Sequence, residues 1–220
     1  MDTKFPDITV GIVHSRDGIS SQGITWFEKA IESIDVQLYP AEIDIIVIEN
    51  MDRKKTIGSC YNEIAQLSKH DWIFYMGDDD YIKPEYLLSL MGWLIDRNVN
   101  DGDSFVQVSG YCTAFSLDYG DNGRVVKVPL QRIPQGIWKK DFILKNLFND
   151  KLGKYVDTDL YQRTNVMEGV NMALVEWNYG YYYRQHKGDG ANISGNYFEN
   201  AIINGDITQE ELNAPKEPVV

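Results

Sequence analysis

Apolar residues arrive in short continuous runs at Ile8–His14 (ITVGIVH), Ile43–Ile48 (IDIIVI) and Trp72–Met76 (WIFYM), each ending in a polar turn. Runs of that length without strict alternation suit strands buried on both faces of a parallel sheet. Between them the period changes. Ile24, Phe27, Ile31 and Ile34 recur at helical spacing, and Pro40 stops that helix. Ile57, Tyr61, Ile64 and Leu67 place one apolar face on a second helix spanning Ile57–Leu67. Pro84 stands at a favourable first-turn position of a third helix, whose Leu87, Leu88, Met91, Leu94 and Ile95 face inward. The order β-α-β-α-β-α predicts a mostly parallel central sheet with helices on both faces and right-handed crossovers. Ligands of such a sheet belong at the carboxyl ends of its strands.

The second half is less regular. Phe105–Phe115 and Arg124–Pro129 read as strands flanking the turn DYGDNG, a smaller antiparallel hairpin. Lys139–Phe148 is helical in pattern, Asn171–Trp177 and Tyr181–Arg184 read as strands, and the Gly-rich HKGDGANISG follows. The last stretch, 205–220, is polar with two prolines, either a docked tail or a linker to a further domain. At 220 residues, 43% hydrophobic and 25% charged, the chain fits one globular α/β domain over 1–204.

Charge narrows the partners. A formal net charge of -12 repels phosphate backbones, which argues against nucleic acid. An anionic ligand on so acidic a protein needs local positive charge, and a divalent cation is a direct source. No run of about 18 apolar residues occurs, so no membrane span is expected. The start MDTKFPDITVGIV lacks the marks of a signal peptide, which predicts a cytoplasmic protein. Cys60 and Cys112 have no metal-ligand or redox spacing around them.

Chemistry concentrates in Asp78-Asp79-Asp80, directly after the third apolar run. Three adjacent carboxylates repel one another, and a hard cation would relieve that repulsion. Strand alternation would send Asp78 and Asp80 one way and Asp79 the other, so that one acid reaches a ribose hydroxyl while another holds metal. The competing reading is a solvated loop before a helix, where Asp is common.

The stretch IDIIVIEN…YNEIAQLSKHDWIFYMGDDDYIKPEYL resembles the donor-binding half of the family 2 glycosyltransferases of the GT-A fold. Asn62 and Pro84 match that family's pattern, and Asp78-Asp79-Asp80 match its DxD motif. KYVDTDLYQR is similar to the family's acidic catalytic segment, and YYYRQHKGDGANIS to its C-terminal Arg-x-His signature. Two departures stand out. The second strand ends in Glu49-Asn50-Met51-Asp52 instead of two acids and a Gly-Ser, and Val156-Asp157 replaces the usual Glu-Asp.

The resemblance implies a single GT-A-type domain, with residues 1–100 as the nucleotide-sugar half and 101–204 as the acceptor and catalytic half. It implies an inverting, metal-assisted transfer of a hexose from a UDP-sugar to a hydroxyl of a saccharide or glycoprotein glycan. Asp157 is the expected general base, with Asp159 next; plain helix capping is the alternative for both. Asp80, His186 and Asp78 would hold the metal, with manganese preferred because it accepts imidazole beside carboxylate, and magnesium second. His14, Ser15, Arg16, Asn50, Asn62, Asp78, Asp79 and Arg184 would meet the nucleotide sugar. Trp138 and Tyr181–Tyr183 offer rings for acceptor stacking or for core packing. Two other classes remain: a nucleotidyltransferase making sugar nucleotides, and a non-catalytic carbohydrate-binding module.

Overall fold

In chain order the elements are β1 (Ile8–His14), α1 (Trp26–Asp35), β2 (Ile43–Glu49), α2 (Ile57–Leu67), β3 (Trp72–Gly77), β4 (Tyr81–Ile82) and α3 (Tyr86–Asp96). There follow β5 (Gln107–Ser109), β6 (Tyr111–Asp118), β7 (Arg124–Arg132), β8 (Ile137–Lys139), α4 (Lys140–Asn146), α5 (Val156–Thr164), β9 (Met172–Leu174) and β10 (Tyr181–His186). The computed structural model describes residues 4–15, 25–96, 107–109, 111–118, 124–132, 136–152, 156–164, 167, 171–175 and 180–186; 109, 111–118, 124–132, 174 and 184–186 are described by backbone alone.

The predicted α/β class stands. β2, β1 and β3 pair in parallel, with Ile8 opposite both Ile43 and Trp72. The sheet continues in the order β2-β1-β3-β8-β5-β9, where β8 runs antiparallel to its neighbours and β9 parallel to β5. A second sheet has the order β4-β10-β6-β7 and contains the β6/β7 antiparallel hairpin.

Alternate residues of the buried strands feed two cores. Ile8, Val10, Ile12, Trp72, Phe74 and Met76 pack with α1 and α3 on one face. Val13, Ile73 and Tyr75 pack with α2, α4 and α5 on the other. Local chemistry fixes the helix starts. Thr25 and Glu28 form a reciprocal capping box at α1, and Thr56 accepts the Ser59 N–H at 3.2 Å at α2.

Several sequence expectations are corrected. Phe105–Phe115 is not one strand: β5 joins the central sheet and β6 the hairpin sheet. β4 and β8 carry too few residues, 2 and 3, to show a period. The first helix begins at Trp26, behind the Thr25 cap. In α3 the buried set is Tyr86, Leu87, Leu90, Met91 and Leu94, while Leu88 and Ile95 are only half-buried. Leu67 is 58% exposed, because α2 ends there and leaves the sheet. Trp138 is fully buried against Phe142, so it is core and not an acceptor platform.

Close approaches lock α2 in place. A Cβ on Gly11 of β1 would meet Ile64 Cγ2 at 2.5 Å, so glycine lets this helix lie directly on the strand. A Cβ on Gly58 would run into the backbone carbonyl of Asn149. Beside it, the Asn62 amide donates to Phe148 O at 2.9 Å and accepts from Phe148 N at 2.8 Å, both buried. Gly58→Ala should therefore destabilise the protein by about 1–3 kcal/mol in urea unfolding, the overpacking cost exceeding the helix-propensity gain of about 1 kcal/mol.

Candidate active site

The ends of β1 and β3 are tied by one carboxylate. Ser15, the first residue after β1, donates its backbone N–H to Asp78 Oδ2 at 2.7 Å, with its hydroxyl at 3.4 Å from the same oxygen. Strand alternation does not continue past Gly77. Residues 78–79 form a turn, and the Asp80 N–H reaches back to Gly77 O at 3.3 Å. Asp78 is thereby directed to the β1 end, whereas Asp80 accepts the Tyr181 hydroxyl of β10 at 2.6 Å. The three aspartates are 4%, 8% and 2% exposed, which sets aside the solvated-loop reading.

Ring and loop groups line the ends of β1 and β2. His14 and Glu49 are register partners, and His14 Nδ1 lies 3.0 Å from Glu49 Oε2. The imidazole stacks on Phe27 of α1 with centroids 4.0 Å apart and planes 11° off parallel. Asn50 closes its own loop: its amide donates to Lys55 O at 3.0 Å and accepts from Lys55 N at 3.1 Å. Its backbone N–H binds His14 O at 2.8 Å, which joins this loop to β1. Arg53, at φ 51°, directs Nε towards Ser15 O at 3.5 Å. Lys54 and Lys55 are occupied by Asp52 at 2.6 Å and Glu63 at 2.5 Å.

α5 brings the second acidic group. The helix starts at Val156, so Asp157 lies inside its first turn and not at the N-cap. Asp157 is half-buried, and its Oδ1 accepts the Thr158 N–H at 2.8 Å. Burial holds its carboxyl above the usual carboxylate range, partly offset by hydrogen bonds to the backbone of Thr158 and of Asp157 itself. Asp159 has another task. It pairs with Arg163 at 2.8 Å, and that guanidinium donates to Leu147 O at 2.9 Å, fastening α5 to the end of α4.

Tyr61 of α2 is a buried phenol in the core on the α2 face of the sheet. Its ring packs against Tyr75 and Phe148 at 4.7 and 5.1 Å, and the side chain is 8% exposed. The phenol is held well above its ordinary pKa, first by burial and then by the charge of Asp157, with Tyr75, Asp80 and Asp78 adding to it. One buried hydroxyl thus feels carboxylates from both β3 and α5, and at neutral pH it remains a neutral donor. The sequence marks Tyr61 only as a core position and carries no signal for Arg53, for Phe27 beside His14, or for the Tyr181–Asp80 contact. The helical spacing that flags Tyr61 as apolar is silent about its hydroxyl.

Of the expected residues, the structure brings His14, Ser15, Asp78, Asp79 and Asp80 together at the β1 and β3 ends, with Asn50 adjoining. Asn62 lies on α2, fastened to Phe148. Arg16 lies outside the described residues. Arg184 and His186 belong to β10, opposite Ser116 and Asp118 of β6, with side chains outside the description. Among the described residues no three His, Cys, Asp or Glu side chains converge as a ready metal cage. No described helix is long and apolar enough to cross a membrane.

No protein family matches the sequence, and no curated protein does. Solved structures do. S. aureus TarS 1-349 in complex with UDP-GlcNAc aligns over 84% of this chain and 60% of its own, with TM-score 0.54 and 13% identity. The same TarS region in complex with UDP covers 81% and 60%, with TM-score 0.52 and 14% identity. TarS 1-349 alone gives 81%, 60%, 0.51 and 14%. The chain spans about 60% of the length of these neighbours. At such identity the likeness is one of fold alone.

Proposed function

We propose that this chain is a glycosyltransferase that moves a sugar, a hexose, from a UDP-sugar to a hydroxyl of a saccharide or glycan acceptor, with inversion. The observation that carries the reading is the buried acid triplet Asp78-Asp79-Asp80 at the carboxyl end of β3, with Asp78 accepting the Ser15 N–H from the end of β1. The fold likeness to TarS, seen in complex with UDP-GlcNAc and with UDP, supports a uridine nucleotide as the leaving group.

In this reading each residue takes a distinct role. His14, stacked on Phe27 and paired with Glu49, offers a flat wall and polar edge for the base at the β1 end. Ser15, Arg16, Asn50, Asp79 and Arg184 belong to the nucleotide side, and Asn62 shapes that half by holding Phe148. Asp78 and Asp80, with His186, would hold manganese or magnesium. Both aspartates are buried and offer hard oxygen donors, the ligand type such cations take. Such a cation supplies Lewis-acid stabilisation of the departing diphosphate.

Asp157 acts as general base. It takes the acceptor hydroxyl proton while that oxygen attacks the anomeric carbon from the face opposite the leaving group. The bond from that carbon to the diphosphate breaks, and the diphosphate leaves with the electron pair. Asp159, occupied by Arg163, is the supporting residue of the two. In this reading residues 1–100 bind the donor, 101–204 meet the acceptor, and 205–220 form a tail or linker.

Thermal unfolding against UDP, GDP, dTDP and CMP, each with manganese and with chelator, tests the proposal. A ligand at 100 times its Kd stabilises by about 2.7 kcal/mol. The expected result is a rise in midpoint with UDP that disappears on chelation. No rise with any nucleotide would leave a non-catalytic module as the better account.

A further inference from the structure

We propose that Tyr181 is the positioning residue of Asp80, its hydroxyl setting the orientation in which that carboxylate meets a divalent cation. The inference rests on the reading of Asp80 as a metal ligand and assigns a new role to a residue 101 positions away in sequence. At 2.6 Å the contact lies in the short range of hydrogen bonds from a hydroxyl to a carboxylate. Both partners are removed from water: Tyr181 is fully buried and Asp80 is 2% exposed. A hydroxyl brought into an apolar core needs a partner, and this one is directed at a single carboxylate oxygen.

The tyrosine itself is immobilised. Its ring lies edge-on to Phe74 and Tyr86, at centroid distances of 6.3 and 5.8 Å. Its backbone pairs with Ile82, and Gly180 O accepts the Lys83 N–H at 2.8 Å, so β10 is stitched to the segment just beyond the aspartates. From the other side, Gly77 leaves room for the same oxygen: a Cβ there would lie 2.7 Å from Asp80 Oδ2. Asp80 Oδ2 is therefore fixed between a glycine and a phenol, and the strand that supplies the phenol also carries His186. Partners that orient metal-binding side chains typically matter 10–100-fold in metal affinity.

The test is manganese affinity of the full chain in the presence of UDP, read from the electron paramagnetic resonance of free Mn2+. Wild type, Asp80→Asn, Tyr181→Phe and Gly77→Ala are compared. Phenylalanine keeps the ring packing and deletes only the hydroxyl; alanine at 77 displaces the same oxygen without touching Tyr181. The expected result is binding by wild type, loss in Asp80→Asn, and affinity weakened about 10–100-fold in the other two. Absence of binding by wild type, or undiminished binding by Asp80→Asn, would overturn the metal reading and this inference with it. Loss in Asp80→Asn alongside wild-type affinity in Tyr181→Phe would overturn the positioning role alone. Should Tyr181→Phe fail to fold, wild-type affinity in Gly77→Ala overturns it equally.

Discussion

Asp157→Asn should lower kcat by about 10²–10⁴-fold, the usual contribution of a general base, while leaving the UDP-dependent rise in melting midpoint unchanged. It should also leave the protein at least as stable as wild type at neutral pH. The sign follows from burial. The folded-state pKa of Asp157 is raised, so the folded protein favours the protonated acid. Stability from that preference is fully present below the unfolded carboxylate value of about 3.9 and is lost as pH rises through the higher folded value. At pH 7 the ionised group therefore weighs against the fold. Asparagine removes the charge yet can still accept the Thr158 N–H. Any stability advantage of the variant should shrink as pH falls. The acid limb of the wild-type rate profile should lie above the ordinary carboxylate range and be missing from the variant's residual rate. Near-normal turnover together with lost stability would instead make Asp157 a helix-start residue.

Asp78 should behave oppositely. Asp78→Ala removes the acceptor of the part-buried Ser15 N–H and should destabilise by about 1 kcal/mol, the low end of the cost of orphaning such a donor. Asp78→Asn keeps a carbonyl oxygen for Ser15 and removes one of three packed charges, so its melting midpoint should hold or rise at low salt. Both variants should lose the manganese-dependent UDP shift. Both should also lose about 100-fold or more in turnover, since metal stabilisation of a leaving group is worth several kcal/mol. Unfolding midpoints and single-turnover rates on the pair separate the two functions of this carboxylate. A normal UDP shift in Asp78→Asn would remove Asp78 from the donor site.

What could be read from the chain without coordinates is what short-range physics encodes. The runs at Ile8–His14 and Trp72–Met76 announce their strands because residues buried on both faces leave no polar alternation. α2 is legible to its ends, Ile57 and Leu67, because its period is regular and Thr56 caps it. The acid triplet is legible because carboxylates in succession need a reason. Contacts that close only in the folded chain are not legible. Tyr181 meets Asp80 across 101 positions, and Tyr61 gathers charge from β3 and α5 through packing that no local pattern encodes. The strand break between β5 and β6 was hidden for a related reason, since the sequence FVQVSGYCTAF says nothing about which sheet each part will join.

The antiparallel seam between β3 and β8 bears on how the chain emerges from the ribosome. β3 lies between β1 and β8, and its pairing with Ile137–Lys139 waits for residues that follow it by more than sixty positions. At ~5–20 residues per second, the nascent βαβαβ unit spends about 3–13 s with one apolar strand edge uncovered. Such an edge is a template for pairing with other chains. A polypeptide cut near residue 100 would keep that edge permanently, so it should aggregate when made alone and be rescued by co-production of the remainder.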